Sequence, residues 1–130
     1  MILGIDHVDF VVNDLDAFEA FYGALGFEVV RRTEHEGAAL ELQHPGDNQP
    51  ILELHPASQP DGATHPLGLR HLAFRVDDIH EAFEAFKAKG LTVEYEPMFY
   101  EQTGRWLAAF FDPDGRKVQL VGSHSSKANE

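Results

Sequence analysis

His7, Glu53, His71 and Gln119 are the residues whose types and spacing could do chemistry. The two histidines lie 64 positions apart, and the carboxylate and the amide lie 66 apart. The chain has no cysteine, which excludes disulfides and thiolate ligands, so any metal must be held by nitrogen and oxygen. Two imidazoles, one carboxylate and a polar amide suit a divalent cation such as Zn, Fe, Co, Ni or Mn, with positions left open for water and substrate. Taken singly, each histidine is an ordinary surface or internally satisfied residue. What joins them is a repeat in the chain.

"HVDFVVND" from His7 aligns with "HLAFRVDD" from His71, matching Phe10 with Phe74, Val12 with Val76 and Asp14 with Asp78 at an offset of 64. The pentapeptide AFEAF, at Ala17 and again at Ala82, matches at 65, and Gly26 with Gly90 returns to 64. One residue gained near His80 and one lost before Gly90 account for the slip. In each half a period-2 apolar run is followed by apolar residues at helical spacing: Leu15, Phe18, Phe21 and Leu25, then Ile79, Phe83 and Phe86. Three strand-like runs follow in each half, separated by turn signals at Glu36-Gly37, "HPGDNQP" and "DPDG".

Each half therefore reads as strand, helix and three strands, and the chain as one α+β domain of two tandem modules, about 1–58 and 69–122. The proline-rich residues 55–68 form a surface linker, and the polar tail 123–130 is expected to fray. Successive strand residues face opposite sides of a sheet. Val8, Phe10 and Val12 thus face the helices, as do Leu72, Phe74 and Val76, with Leu52, Leu54, Val118 and Leu120 from the last strands. The opposite face carries His7, Asp9, Glu53 and His55 in one half and His71, Arg75, Lys117 and Gln119 in the other. Two related halves turned toward each other would bring the four candidate ligands together. His55 is given no role beyond hydrogen-bonding support of a ligand.

The bulk properties narrow the setting. A chain of 130 residues is one domain's worth. Its formal charge of −12 comes from 22 acidic against 10 basic residues, which disfavours a nucleic-acid partner, because phosphate binding needs clustered Lys and Arg. No apolar run is long enough to span a bilayer. Nor does "MILGIDHVDF" have the basic region, apolar stretch and small-residue cleavage site of a secretory leader, so a cytoplasmic location and no membrane partner are expected. No nucleophilic triad or phosphate loop is found.

From "GIDHVDFVV" through "LRHLAFRV" to "FFDPDGRKVQLV", the chain resembles the vicinal oxygen chelate superfamily, and glyoxalase I-like proteins in particular. The superfamily also includes fosfomycin resistance proteins, methylmalonyl-CoA epimerase, extradiol dioxygenases and bleomycin-binding proteins. The resemblance implies a U-shaped, partly closed mixed sheet made by two βαβββ modules, helices outside, around a divalent metal. It also implies His7, Glu53, His71 and Gln119 as ligands, placed within one chain or between the two chains of a homodimer. Gln119 departs from the bacterial glyoxalase I pattern, which has a glutamate there that serves in many members as ligand and base.

An amide cannot accept a proton in that role, so Glu53 or a metal-bound hydroxide would have to replace it. Scattered arginines, Arg31, Arg32, Arg75 and Arg105, are the cations that a glutathione-like substrate could use, or ordinary solvated charges. "FYEQTGRW" from Phe99 reads as a substrate-facing loop or as aromatic core. The expected activity is that of a metal-dependent lyase or isomerase acting on a small substrate with neighbouring oxygens. The alternatives are a dioxygenase or drug-modifying enzyme of the same superfamily, and a metal-free binding protein of the bleomycin resistance type.

Overall fold

The computed structural model describes residues 1–33, 39–58 and 62–129. The expected Glu36-Gly37 turn lies outside the described residues, as do residues 59–61 of the linker. The order of elements is that of two βαβββ modules. The first contains β1 (Ile2–Val12), α1 (Leu15–Ala24), β2 (Glu28–Thr33), β3 (Ala39–Gln43) and β4 (Ile51–Pro56). The second contains β5 (Gly68–Val76), α2 (Ile79–Ala88), β6 (Val93–Tyr100), β7 (Arg105–Phe111) and β8 (Lys117–Gly122). No helix of the described residues is long and apolar enough to cross a membrane.

By compactness the chain divides into His7–Arg70 and a second unit made of Met1–Asp6 with His71–Glu130. The first six residues therefore group with the second module: the terminal ammonium lies 3.1 Å from Asp77, and Asp6 is 2.5 Å from the Arg105 guanidinium. Within His7–Arg70, β2 and β3 are antiparallel, β3 and β4 antiparallel, and β4 and β1 parallel. The second unit repeats this ladder, with β6–β7 and β7–β8 antiparallel and β8–β5 parallel.

Parity along the strands builds each core. Phe10, Val12, Leu40, Leu42, Leu52 and Leu54 gather under Leu15, Tyr22 and Phe27 in the first module. Val76, Ala108, Phe110 and Leu120 gather under Ile79, Ala82 and Phe83 in the second. Both helices start on an aspartate: Asp14 accepts the N–H of Ala17 at 3.1 Å, and Asp78 that of Glu81 at 3.1 Å, each satisfying a donor that has no partner inside its helix. Both stop at a glycine, Gly26 with φ 98° and Gly90 with φ 89°, where a side chain would be strained.

Two expectations change. The helices have equal length and the same 64-residue offset as their caps, so no residue is gained or lost between them, and the two AFEAF segments sit one position out of register. One position is about 100° around a helix. Phe83 is consequently buried at 1% exposure, whereas Phe18, Phe21 and Leu25 of the first half are exposed. Leu15 and Tyr22 are the α1 residues that pack on the first core.

The tail is also anchored rather than frayed as far as Ser126. The N–H of Ile79 donates to the His124 carbonyl at 3.1 Å, that of Ser126 to Asp78 at 3.0 Å, and buried Ser125 hydrogen-bonds the His80 ring. The start of α2 has donors to satisfy, and the His124 carbonyl of the tail accepts one of them.

Candidate metal centre

The strands leave the candidate ligands on the faces turned away from the helices. In the first module, β1 and β4 run parallel with Asp9 opposite Glu53 and His7 opposite Ile51, so His7 and Glu53 stand one step apart on the same face. His7 Nε2 lies 3.6 Å from Glu53 Oε2. Two donors bound to one ion at about 2.0–2.2 Å each stand roughly 3–3.5 Å apart, so this pair has close to the required spacing. Both side chains are largely covered, with 11% and 19% of their surfaces exposed.

The second module repeats the arrangement. Ala73 of β5 stands opposite Gln119 of β8, which places His71, two residues earlier, on the same face as Gln119. Both residues are buried. The Gln119 amide nitrogen donates to the Tyr95 hydroxyl at 2.9 Å, which leaves the carbonyl oxygen as the atom able to serve a cation. Burial holds the Tyr95 phenol above its ordinary range, against the opposing effect of the Gln119 hydrogen bond, so it stays neutral. Within the first module His7 thus lies close to Glu53, and within the second His71 and Gln119 share one face. Their donor chemistry fits a divalent cation.

The neighbours of the pairs differ. Across β2, β3, β4 and β1 the first module sets Arg31, Glu41, Glu53 and Asp9 side by side. Across β6, β7, β8 and β5 the second sets Tyr95, Ala109, Gln119 and Ala73. One row carries three carboxylates and the other has none. Like charges on adjacent strands repel, and cations flank the first row at its two ends. Arg31 stands 3.8 Å from Glu41, and Arg70 stands 3.8 Å from Asp9.

His55 Nε2 lies 3.0 Å from both Asp9 Oδ2 and Glu53 Oε1. Burial disfavours the charged imidazole, but the hydrogen bonds and charges of Asp9 and Glu53 outweigh it and raise its pKa to about 9, so the ring is an imidazolium at neutral pH. One donor atom from each of Asp9, Glu53 and His55 fits within 4.8 Å of the others, a second grouping able to hold a cation once the ring gives up its proton.

Sequence reasoning did not single out Glu41 or Asp9 as members of the site. Glu41 shares strand parity with Gln43 and not with the core leucines, which signals the face but not its neighbour. Most of the arginines considered as substrate anchors are engaged with acids: Arg31 with Glu41, Arg32 with Glu19 at 2.7 Å, and Arg105 with Asp6. Arg75 has its guanidinium beside Gly4, 3.4 Å from where a Cβ would sit. In "FYEQTGRW", Trp106 joins the second core while Phe99 and Tyr100 are exposed. With Met98, Glu101 and Gln102 those two aromatics line a cleft of ≈ 450 Å³.

The duplicated βαβββ modules define the class, and the chain belongs to the Glyoxalase/Bleomycin resistance protein/Dioxygenase superfamily, whose family model matches residues 4–120. It is 32% identical over 126 residues to the uncharacterized protein YwkD of Bacillus subtilis, covering 92% of this chain and 97% of the relative. It is 29% identical over 127 residues to the lactoylglutathione lyase of Haemophilus influenzae, covering 94% of each. Among solved structures, a variant of methylmalonyl-CoA epimerase from Streptomyces coelicolor in complex with 2-nitronate-propionyl-CoA superposes with a TM-score of 0.74 at 27% identity, over 95% of this chain and 99% of that one.

Proposed function

We propose that the chain is a metal-dependent lyase or isomerase of the glyoxalase kind, cytoplasmic and homodimeric, acting on a small substrate that offers neighbouring oxygens. His7, Glu53, His71 and Gln119 are the ligands, and Glu53 is the catalytic base. The observation that carries this reading is the 3.6 Å approach of His7 Nε2 to Glu53 Oε2, and the strand register that sets His71 on the same face as Gln119 supports it. The similarity to a lactoylglutathione lyase and to a methylmalonyl-CoA epimerase supports it.

A divalent cation bound there supplies positive charge beside the substrate oxygens, where negative charge develops as a neighbouring C–H bond is broken. The chain's own part is to take and return the proton. Gln119 has no lone pair suited to that task, so the carboxylates of the first module carry it. Glu53 takes the proton from the carbon beside the carbonyl, and the pair of electrons left behind moves onto the carbonyl oxygen. The hydroxyl proton passes to that oxygen, a carbonyl forms at the carbon that lost its hydrogen, and Glu53 returns its proton to the adjacent carbon, which completes an isomerisation. Glu41 stands directly opposite Glu53 on β3 and is the second carboxylate on that face.

Proton exchange tests this reading. A panel of small compounds with vicinal carbonyl and hydroxyl oxygens, incubated in deuterated water with the Ni- or Co-loaded protein, is followed by NMR. The loaded protein is expected to exchange the carbon-bound hydrogen of at least one compound, with E53Q slower by 100-fold or more, on the order of the contribution of a positioned base. Exchange as fast in E53Q as in wild type removes Glu53 as the base. In that case E41Q identifies whether the adjacent carboxylate serves instead.

A further inference from the structure

We propose that Asp9 and His55 form a positioning pair that grips one carboxylate oxygen of Glu53 and so presents the other, Oε2, toward His7 as a single-oxygen ligand. The inference rests on Glu53 being a ligand, as read above, and concerns what aims it.

The geometry divides the two oxygens of Glu53, Oε1 held by His55 and Oε2 left to face His7. Asp9 and His55 are each 1% exposed, and the ring nitrogen Nε2 lies 3.0 Å from Asp9 Oδ2 and 3.0 Å from Glu53 Oε1. Ionised carboxylate oxygens only accept hydrogen bonds, so Nε2 carries its hydrogen toward them. A nitrogen bearing that hydrogen has no lone pair for a cation. The grouping of Asp9, Glu53 and His55 is therefore a clamp, and the ion belongs on the other side of Glu53. There Oε2 faces His7 Nε2 at 3.6 Å.

At the other edge of the ring, His55 Nδ1 is buried with no hydrogen-bond partner among the described residues. The polar anchorage given to the ring thus runs through the atom that touches Glu53. The same oxygen, Asp9 Oδ2, also lies 3.8 Å from an Arg70 guanidinium nitrogen.

The duplication supplies an internal control. The positions in the second module that correspond to Asp9 and His55 are Ala73 and Val121, by register against Gln119 and its neighbours. There Gln119 is held from two strands away instead, its amide nitrogen donating to the Tyr95 hydroxyl of β6. Ala109, the small residue between Tyr95 and Gln119 in the row, leaves the phenol room to reach across. The two clamps differ in chemistry but give one result: each ligand side chain has one polar atom occupied and one oxygen presented. The second module builds the same parallel pair of strands with Ala73 and Val121 at these positions.

Co2+ added to the metal-free protein, followed by calorimetry and visible absorption, tests the proposal with a readout independent of turnover. Groups that hold a ligand from behind typically contribute 10–100-fold to metal affinity, so H55F and D9N are each expected to weaken Co2+ by about that factor without changing stoichiometry. The double variant should be no weaker than the weaker single, because one device is removed once. H55Q keeps an N–H donor at a similar reach and is expected to recover most of the affinity. If H55F does not fold by circular dichroism, D9N and H55Q decide the matter between them.

H7A, which removes a ligand, should change the absorption spectrum; the His55 and Asp9 variants should keep the wild-type bands. Variants that bind Co2+ as tightly as wild type overturn the positioning role alone. Spectra of H55Q altered in the manner of H7A also overturn it, by making His55 a ligand. Wild type that takes up no Co2+ overturns the ligand reading and this inference with it.

Discussion

Gln119 is the residue that most distinguishes this site chemically, because it places a neutral amide where the resembled pattern has a carboxylate. Its oxygen can bind a cation but contributes no charge. Restoring a carboxylate should therefore tighten cation binding: Q119E is expected to raise Co2+ affinity on the order of tenfold, equivalent to about 1.4 kcal/mol, measured by calorimetry. An unchanged or weaker affinity would remove Gln119 from the ligand set. The four candidate ligands were legible in the sequence because a repeat and strand parity suffice to put them on one face of each module. The same parity put Asp9 on that face, but the row that it forms with Glu41 and Glu53 was not legible, because it depends on which residues pair across β3, β4 and β1. Pairing register is set by turns and neighbours rather than by the pattern within a strand.

Helices show the opposite lesson, that a strong local identity can mislead. AFEAF occurs twice, yet the caps Asp14 and Asp78 set the frame of each helix and rotate the second copy relative to the first. A stability comparison follows from the difference in burial. F83A, emptying a site packed against Phe110 at a ring separation of 5.2 Å, should cost about 3–5 kcal/mol. F21A, at an exposed position, should cost within about 0.5 kcal/mol. Urea denaturation of the two variants measures both; equal losses would contradict the assigned helix frame.

Asp78 gives the α2 start a pH dependence. Burial acts to raise its pKa, but the N–H of Glu81, the Ser126 hydroxyl and N–H, and the nearby His124 bring it below the ordinary carboxylate value. A depressed folded-state pKa means that the unfolded chain binds the proton more readily. The contribution is therefore fully present above the unfolded value of about 3.9 and is lost as pH falls through the folded one. D78A should lose about 1 kcal/mol at neutral pH and show a shallower decline in stability below pH ~4 than wild type, in thermal melts at a series of pH values. Parallel acid limbs in the two proteins would show that Asp78 is not titrating against the tail.

At the scale of the whole molecule, the βαβββ repeat was readable because each half carries its own alternation, caps and terminal glycine. The grouping of Met1–Asp6 with the second module was not, because it depends on long-range partners such as Asp77 and Arg105. The proposed homodimer predicts a solution mass twice the 14.5 kDa of one chain, by light scattering after size exclusion. A mass of one chain at micromolar concentration would exclude it.

The most direct measurement is elemental analysis of the purified protein, reconstituted with Ni2+, Co2+ or Zn2+ and desalted, beside H7A and H71A. The account predicts about one ion per chain in wild type and at least a tenfold lower content in each variant, as removal of an imidazole from a site of this kind requires. Equally little metal in all three proteins would contradict it.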